Sequence, residues 1–155
     1  MSLESVKRFF AERASDLEVI ELPTSTATVA LAAEGHGVRP EEIAKTLCLR
    51  VGESVFLVVA SGTARLDNKK ARAVFGGKAK MPPPEEVEAL TSHPVGGVCP
   101  FGLPGPIPVY CDISLKPFPI VVPAAGATNA AVKLSPQRLF ELTHAQWVDV
   151  CETAT

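Results

Sequence analysis

Lys45 lies in the run IAKTLCLRV, residues 43–51, in strict alternation with Leu47, Leu49 and Val51. In a strand these four side chains share one face, so a cation stands in phase with three aliphatics. An ammonium is costly to bury unpaired; such a lysine either snorkels out at a frayed strand end or meets an anion in a pocket. The segment alone supports both readings. A second candidate is the loop Gly96-Gly97-Val98-Cys99-Pro100-Phe101-Gly102, where glycine lets main chain approach a ligand and proline fixes the bend. Two or three N–H donors there can hold a carbonyl oxygen and stabilise an oxyanion. Taken by itself, this loop is more simply a tight turn that packs Phe101 into the core. A later turn, Ala125-Gly126-Ala127-Thr128-Asn129, offers Thr128 and Asn129 either to a ribose or to capping its own backbone.

Nucleophile signatures are absent. Ser61 stands in Ala-Ser-Gly-Thr, not in GxSxG, and no GxxxxGK[ST] phosphate loop occurs. Cys99 has no adjacent base, so a small buried thiol is a better reading than a nucleophile. Cys48, Cys99, Cys111 and Cys151 are widely spread without a CxxC pair, and His36, His93 and His144 form no HxxxH pattern. The cysteines therefore read as reduced, buried thiols, and neither a metal nor a cofactor is expected.

Charge is unevenly placed. Arg65, Lys69, Lys70, Arg72, Lys78 and Lys80 face one acid, Asp67, so the 65–80 window is +5 while the whole chain is −2 and the remainder −7. A basic segment on an acidic protein suits the phosphate backbone of a structured nucleic acid, and a solvated helix face explains it equally well.

These residues need elements to position them. Ser2 can cap a helix to about Ala14 that carries Val6, Phe9, Phe10 and the Arg13 stem on one stripe. A short strand is expected at 17–22, then a helix from Thr26 to Glu34, with Ser25 or Thr26 as N-cap and Gly35 and Gly37 as stop. Pro40, Glu41 and Glu42 resemble a helical first turn. Strands 45–51 and 54–61 join at Gly52-Glu53 as a hairpin. Asp67 starts a basic helix ending at Gly76-Gly77, 85–90 forms a short helix, and the Gly/Pro-rich stretch 93–108 is a long loop of the kind that is often functional. Strands follow at 109–115, 119–123 and 130–134, then a helix at 136–142 and a last strand at 147–151. Without regular βαβ alternation, the expected fold is α+β, a mixed, largely antiparallel sheet or barrel with peripheral helices.

At 155 residues and 46% hydrophobic content the chain suits one domain spanning 1–155. A mean hydropathy of +0.20 argues against disorder. Its longest apolar runs are too short to span a bilayer, and the start MSLESVKRFF has no export-signal pattern, so a soluble cytoplasmic protein without membrane contact is expected.

The order of Ser-Thr-Ala-Thr at 25–28, Glu-Glu-Ile-Ala-Lys-Thr-Leu at 41–47, Val-Val-Ala-Ser-Gly at 58–62, Asp-Asn-Lys-Lys at 67–70, the Gly96–Gly102 loop, Val-Tyr-Cys-Asp-Ile-Ser-Leu at 109–115 and Ala-Ala-Gly-Ala-Thr-Asn at 124–129 resembles the YbaK/prolyl-tRNA synthetase-associated editing domain family. The resemblance spans nearly the whole chain and is specific through order and spacing. It implies a trans-editing deacylase that hydrolyses the ester of a mischarged tRNA, tRNA(Pro) carrying alanine, cysteine, serine, threonine or 2-aminobutyrate in the first place. Prolyl-tRNA synthetase or an elongation factor would be a further partner, with no DNA. By the same resemblance Lys45 holds the terminal adenosine phosphate. The family's GxxxP loop corresponds to Gly96 through Pro100, so that Gly97, Val98 and Cys99 main chain meets the substrate carbonyl. Thr26, Thr28, Val29 and Ala32 line an amino-acid pocket, with Ser61, Phe101, Gly126, Thr128 and Asn129 as further substrate contacts. Lys69, Lys70, Arg72, Lys78 and Lys80 would contact tRNA. The family's chemistry is largely substrate-assisted, the terminal ribose hydroxyl positioning a water or a substrate thiol attacking its own ester. Some relatives carry a histidine in the loop matching 126–130, where this chain has Asn129.

Two other classes remain open: a non-catalytic module that senses a nucleotide or aminoacylated end, and a hydrolase of small esters with no nucleic-acid partner. Salt separates the latter from the editing reading, because phosphate contacts weaken as ionic strength rises.

Overall fold

A computed structural model describes residues 2–153. Its centre is the hairpin read from the sequence: β2 (Ile43–Val51) and β3 (Ser54–Ser61) pair antiparallel over eight positions, Val51 opposite Ser54 and Lys45 opposite Ala60, with Gly52 at φ 60° in the turn. β3 is buried on both faces from Phe56 onward, as befits the middle of a sheet. β6 (Val122–Pro123) adds parallel to β2, and on the other side β5 (Val109–Asp112) and β8 (Gln146–Val148) add in parallel, giving the order β6-β2-β3-β5-β8. Two small antiparallel pairs complete the curled mixed sheet: β1 (Ile20–Glu21) with β7 (Ala130–Ala131), and β4 (Ala64–Leu66) with β9 (Cys151–Thr153).

Each face of the sheet has its own core. On one side Leu57 and Val59 meet α1 (Ser2–Arg13) through Val6 and Phe10, and Phe101 completes an aromatic cluster with Phe10 at 4.7 Å between ring centroids. On the other, Phe56, Val58 and Ala60 pack against Ala71 and Phe75 of α3 (Asn68–Phe75) and against Tyr110. α3 begins where Asp67 accepts from the amides of Lys69 and Lys70, and it ends at Gly76 in the left-handed region. α4 (Pro84–Thr91) and α5 (Pro136–Leu142) occupy the expected places, α5 capped by the Ser135 hydroxyl.

Several boundaries differ from the sequence reading. α2 runs Val29–His36 with Thr28 as its N-cap, and Gly35 is inside it; Gly37 at φ 68° ends it. Ser25 instead accepts from the Ala27 amide. The strand expected over 109–115 stops at Asp112, because that carboxylate accepts from the Ser114 amide and turns 113–115 into a 3₁₀ helix. The last expected strand is split into β8 and β9, and 17–22 and 119–123 contribute only two strand residues each. Ser2 is the first residue of α1, and its hydroxyl is engaged elsewhere. No helix among the described residues is long and apolar enough to cross a membrane.

Candidate active site

A cavity of about 290 Å³ opens between α2, the first half of β2 and the loop at 95–98. Its floor is the β2 face that carries Ala44, Thr46 and Cys48. One wall is Thr26 with Val29 and Ala32 of α2. Because the Thr28 hydroxyl accepts from the Leu31 amide at 3.2 Å, the helix start is fixed and these two small side chains, three apart, share the face toward the cavity. Val95, Gly96 and Val98 form the opposite wall, and Met81, 70% exposed, stands at the mouth.

Backbone contacts hold these walls together. A Cβ on Gly96, which has φ +90°, would lie 2.8 Å from that of Ala27, and one on Gly97 would lie 2.8 Å from the Ala127 nitrogen. Thr26 donates its amide (2.6 Å) and its hydroxyl (3.2 Å) to the Thr128 carbonyl. The Gly126 amide donates to the Gly97 carbonyl at 3.1 Å. Segments 26–28, 96–98 and 126–130 are therefore tied to one another by backbone contacts.

Lys45 borders the cavity from the face opposite Thr46. Its ammonium donates to the carbonyl of Gly62 at 3.2 Å and to that of Ala64. Burial lowers its pKa from the ordinary lysine value, with the Cys151 thiol acting in the other direction and Arg65 adding to the decrease. The charge is thus satisfied by carbonyls and not aimed into an apolar interior. An ammonium has three donors, so one remains for a ligand. The Thr46 hydroxyl is buried and has no hydrogen-bond partner among the described residues. An unpartnered buried hydroxyl costs about 1–3 kcal/mol.

The other expected site residues divide. Thr26, Thr28, Val29, Ala32, Gly96 and Val98 line the cavity with Lys45. Ser61 does not: it is buried, donating to the Glu41 carbonyl at 2.6 Å, because it ends β3 beneath the 40–42 turn. Cys99, Pro100 and Phe101 are buried in the core behind the loop. The fold brings His93 Nε2 to 3.5 Å from the Cys99 thiol, a base the sequence did not place beside it, but both groups are fully buried off the cavity, and burial pushes the thiol up to about 12, which holds it protonated. Of the loop's main chain, Pro100 has no N–H and the Gly97 amide already donates to the Pro94 carbonyl at 2.8 Å. The amides of Val98 and Cys99 have no backbone acceptor among the described residues. Gly126, Thr128 and Asn129 also lie off the cavity surface; Asn129 donates to the Leu22 carbonyl at 2.9 Å, so the turn is a knot behind the wall. Lys69, Lys70 and Arg72 sit on α3, where Lys70 pairs with Asp149 at 2.9 Å. Lys78 and Lys80 lead the chain to Met81 at the mouth.

Sequence reasoning missed Thr46, Met81 and Val95. Thr46 adjoins Lys45 in sequence but lies out of phase with it, on the other face of the strand. Met81 and Val95 carried no signal, since their role arises only when two loops meet. No aspartate, glutamate, histidine or serine lines the cavity, and among the described residues no group of three His, Cys, Asp or Glu side chains is placed to hold a metal ion.

Residues 23–142 match the family model of the aminoacyl-tRNA editing domain. The chain is 48% identical over 154 residues to YwhH of Bacillus subtilis, an uncharacterized protein, covering 98% of each. It is 31% identical over 121 residues to EbsC of Enterococcus faecalis, provisionally named a Cys-tRNA(Pro)/Cys-tRNA(Cys) deacylase, covering 76% of this chain and 73% of that one. A crystal structure provisionally described as a trans-editing enzyme for prolyl tRNA synthetase superposes with a TM-score of 0.90 at 37% identity, covering 97% of both chains.

Proposed function

Because the chain belongs to the aminoacyl-tRNA editing domain family, we propose that it is a trans-editing deacylase whose substrate is tRNA(Pro) esterified with a small non-cognate amino acid. Chain 1–155 acts as one editing domain in the cytoplasm, with prolyl-tRNA synthetase or an elongation factor as a candidate partner. The observation that carries this reading is the cavity itself: small walls, one cation at its edge, and no aspartate, glutamate, histidine or serine among its lining side chains. Such a site suits a substrate that brings its own hydroxyl. Water attacks the ester carbonyl, the bond to the ribose oxygen breaks, and free amino acid and tRNA leave. In this reading the Val98 amide, which has no backbone acceptor among the described residues, takes the developing oxyanion, Lys45 contributes one donor to the terminal phosphate, and Val29, Ala32 and Thr46 set the space for the side chain. Apolar walls discriminate a methylene by only about 1–3 kcal/mol, so selectivity among short side chains is relaxed.

The test is hydrolysis of tRNA(Pro) charged with alanine, cysteine, serine, threonine, 2-aminobutyrate or proline, by wild type and Lys45→Ala. Selective turnover that the variant loses establishes the reading and names the amino acid. The missing base also favours a second reading, a non-catalytic module for aminoacylated ends; tight tRNA binding without turnover of any of these would select it.

A further inference from the structure

α1 lies outside residues 23–142 that match the family model, yet its first turn reaches behind the candidate site. The Ser2 hydroxyl is 2.5 Å from Nδ1 of His93 and also reaches the Gly126 carbonyl. His93 is fully buried, its Nε2 2.8 Å from the Phe101 carbonyl. A carbonyl only accepts, so Nε2 carries the proton of the neutral ring, and Nδ1 accepts from Ser2. One hydroxyl proton is thus shared between the two loops, 93–102 and 125–129. Packing repeats the pattern: a Cβ on Gly126 would lie 2.9 Å from Ser2 Oγ, and one on Gly102 would lie 2.7 Å from the Ser5 carbonyl carbon, both glycines having positive φ. From Gly126 the next link is its amide to the Gly97 carbonyl at 3.1 Å, and Gly97 precedes the free amide of Val98.

We propose that Ser2 and His93 are positioning residues for deacylation, tying the Gly126 turn to the loop that carries the Val98 amide. The role in turnover rests on the editing reading, whereas the tie itself does not. Neither residue touches the cavity; each acts by fixing where the loop amides sit. A purely structural role for Ser2, stapling α1 to the body, would lower stability without separating kcat from KM.

The experiment compares wild type, Ser2→Ala, Ser2→Thr and His93→Gln by deacylation kinetics on the mischarged tRNA that wild type turns over, and by amide hydrogen exchange at Gly126 with Val59 in β3 as control. Ser2→Ala is expected to lower kcat about tenfold with KM changed less than about twofold, and to speed Gly126 exchange about tenfold, the scale of one lost hydrogen bond. Val59 exchange should not change, and Ser2→Thr should restore both quantities. Should Ser2→Ala fail to fold, a further variant, His93→Leu, decides: it removes the acceptor for Ser2, so faster Gly126 exchange beside unchanged Val59 exchange supports the tie and native exchange overturns it, with His93→Gln, which keeps a donor for Phe101 and an acceptor for Ser2, as the conservative control. Unchanged Gly126 exchange in folded Ser2→Ala overturns the proposal. If wild type turns over no charged tRNA, the editing reading fails, and the exchange measurement still decides whether the tie exists.

Discussion

The Lys45 ammonium and the Thr46 hydroxyl, adjacent in sequence, lie on opposite faces of β2, the first held by the Gly62 and Ala64 carbonyls and the second buried without a partner. Two bonds to carbonyls leave Lys45 one donor for an anion, so it gives a single charged contact and not a clamp. Lys45→Ala should lower deacylation by about 10²-fold, the effect of removing one well-placed charged donor. Lys45→Arg should not restore it, since a planar fork cannot keep both carbonyl bonds and the phosphate contact. Steady-state rates on the tRNA panel check both.

Thr46→Val removes a hydroxyl that has no partner in the ligand-free chain. The variant is expected to be more stable by about 1 kcal/mol in denaturant titration, with its KM for the aminoacylated end unchanged, since the hydroxyl is closed off from the cavity. A variant as active as wild type would show that no ligand group meets this hydroxyl.

Cys99 is wholly enclosed and its thiol is held up at about 12. Iodoacetamide at pH 8 should leave native protein unmodified at this position and fully active, and Cys99→Ala should retain turnover apart from the stability lost with the thiol's packing. Peptide mapping after alkylation, with and without denaturant, checks the first statement.

Burial holds His93 below the ordinary histidine value of 6.5, the Phe101 carbonyl opposing that only in part. The unfolded chain then binds the proton first as pH falls through 6.5, so the stability this neutral histidine contributes is present above that pH and lost below it. His36, lowered for the same reason with Lys133 adding, contributes in the same direction. Melting temperature should therefore fall between pH 6.5 and 5, and His93→Gln should flatten the slope without abolishing it.

The hairpin, the basic helix with its Asp67 cap and α5 were legible because each follows from local chemistry: Gly52 for a tight turn, a carboxylate before free amides, Ser135-Pro136 before a helix. The 109–115 strand was misread because its end depends on the Asp112 side chain bending back to Ser114, and the C-terminal strand because its two halves pair with different partners, β5 and β4. The site was half visible. Thr26, Thr28, Val29 and Ala32 share one short stretch and one face, so their grouping could be read along the chain. Cys99, Phe101 and Asn129 looked equally suitable by type, and only the path of the loop shows that they point away from the cavity. The Ser2–His93 contact spans 91 positions, a distance over which no spacing rule operates.

The two halves of the cavity are made of different material. Around 96–98 the wall is main chain pressed on main chain, with no room for a Cβ at Gly97, whereas the opposite side is a row of replaceable side chains, Val29, Ala32 and Met81. Under the editing reading, single substitutions on α2 or at position 81 would change which side chain fits while the main-chain wall is inherited unaltered, so specificity could drift among descendants without touching the geometry around 96–98.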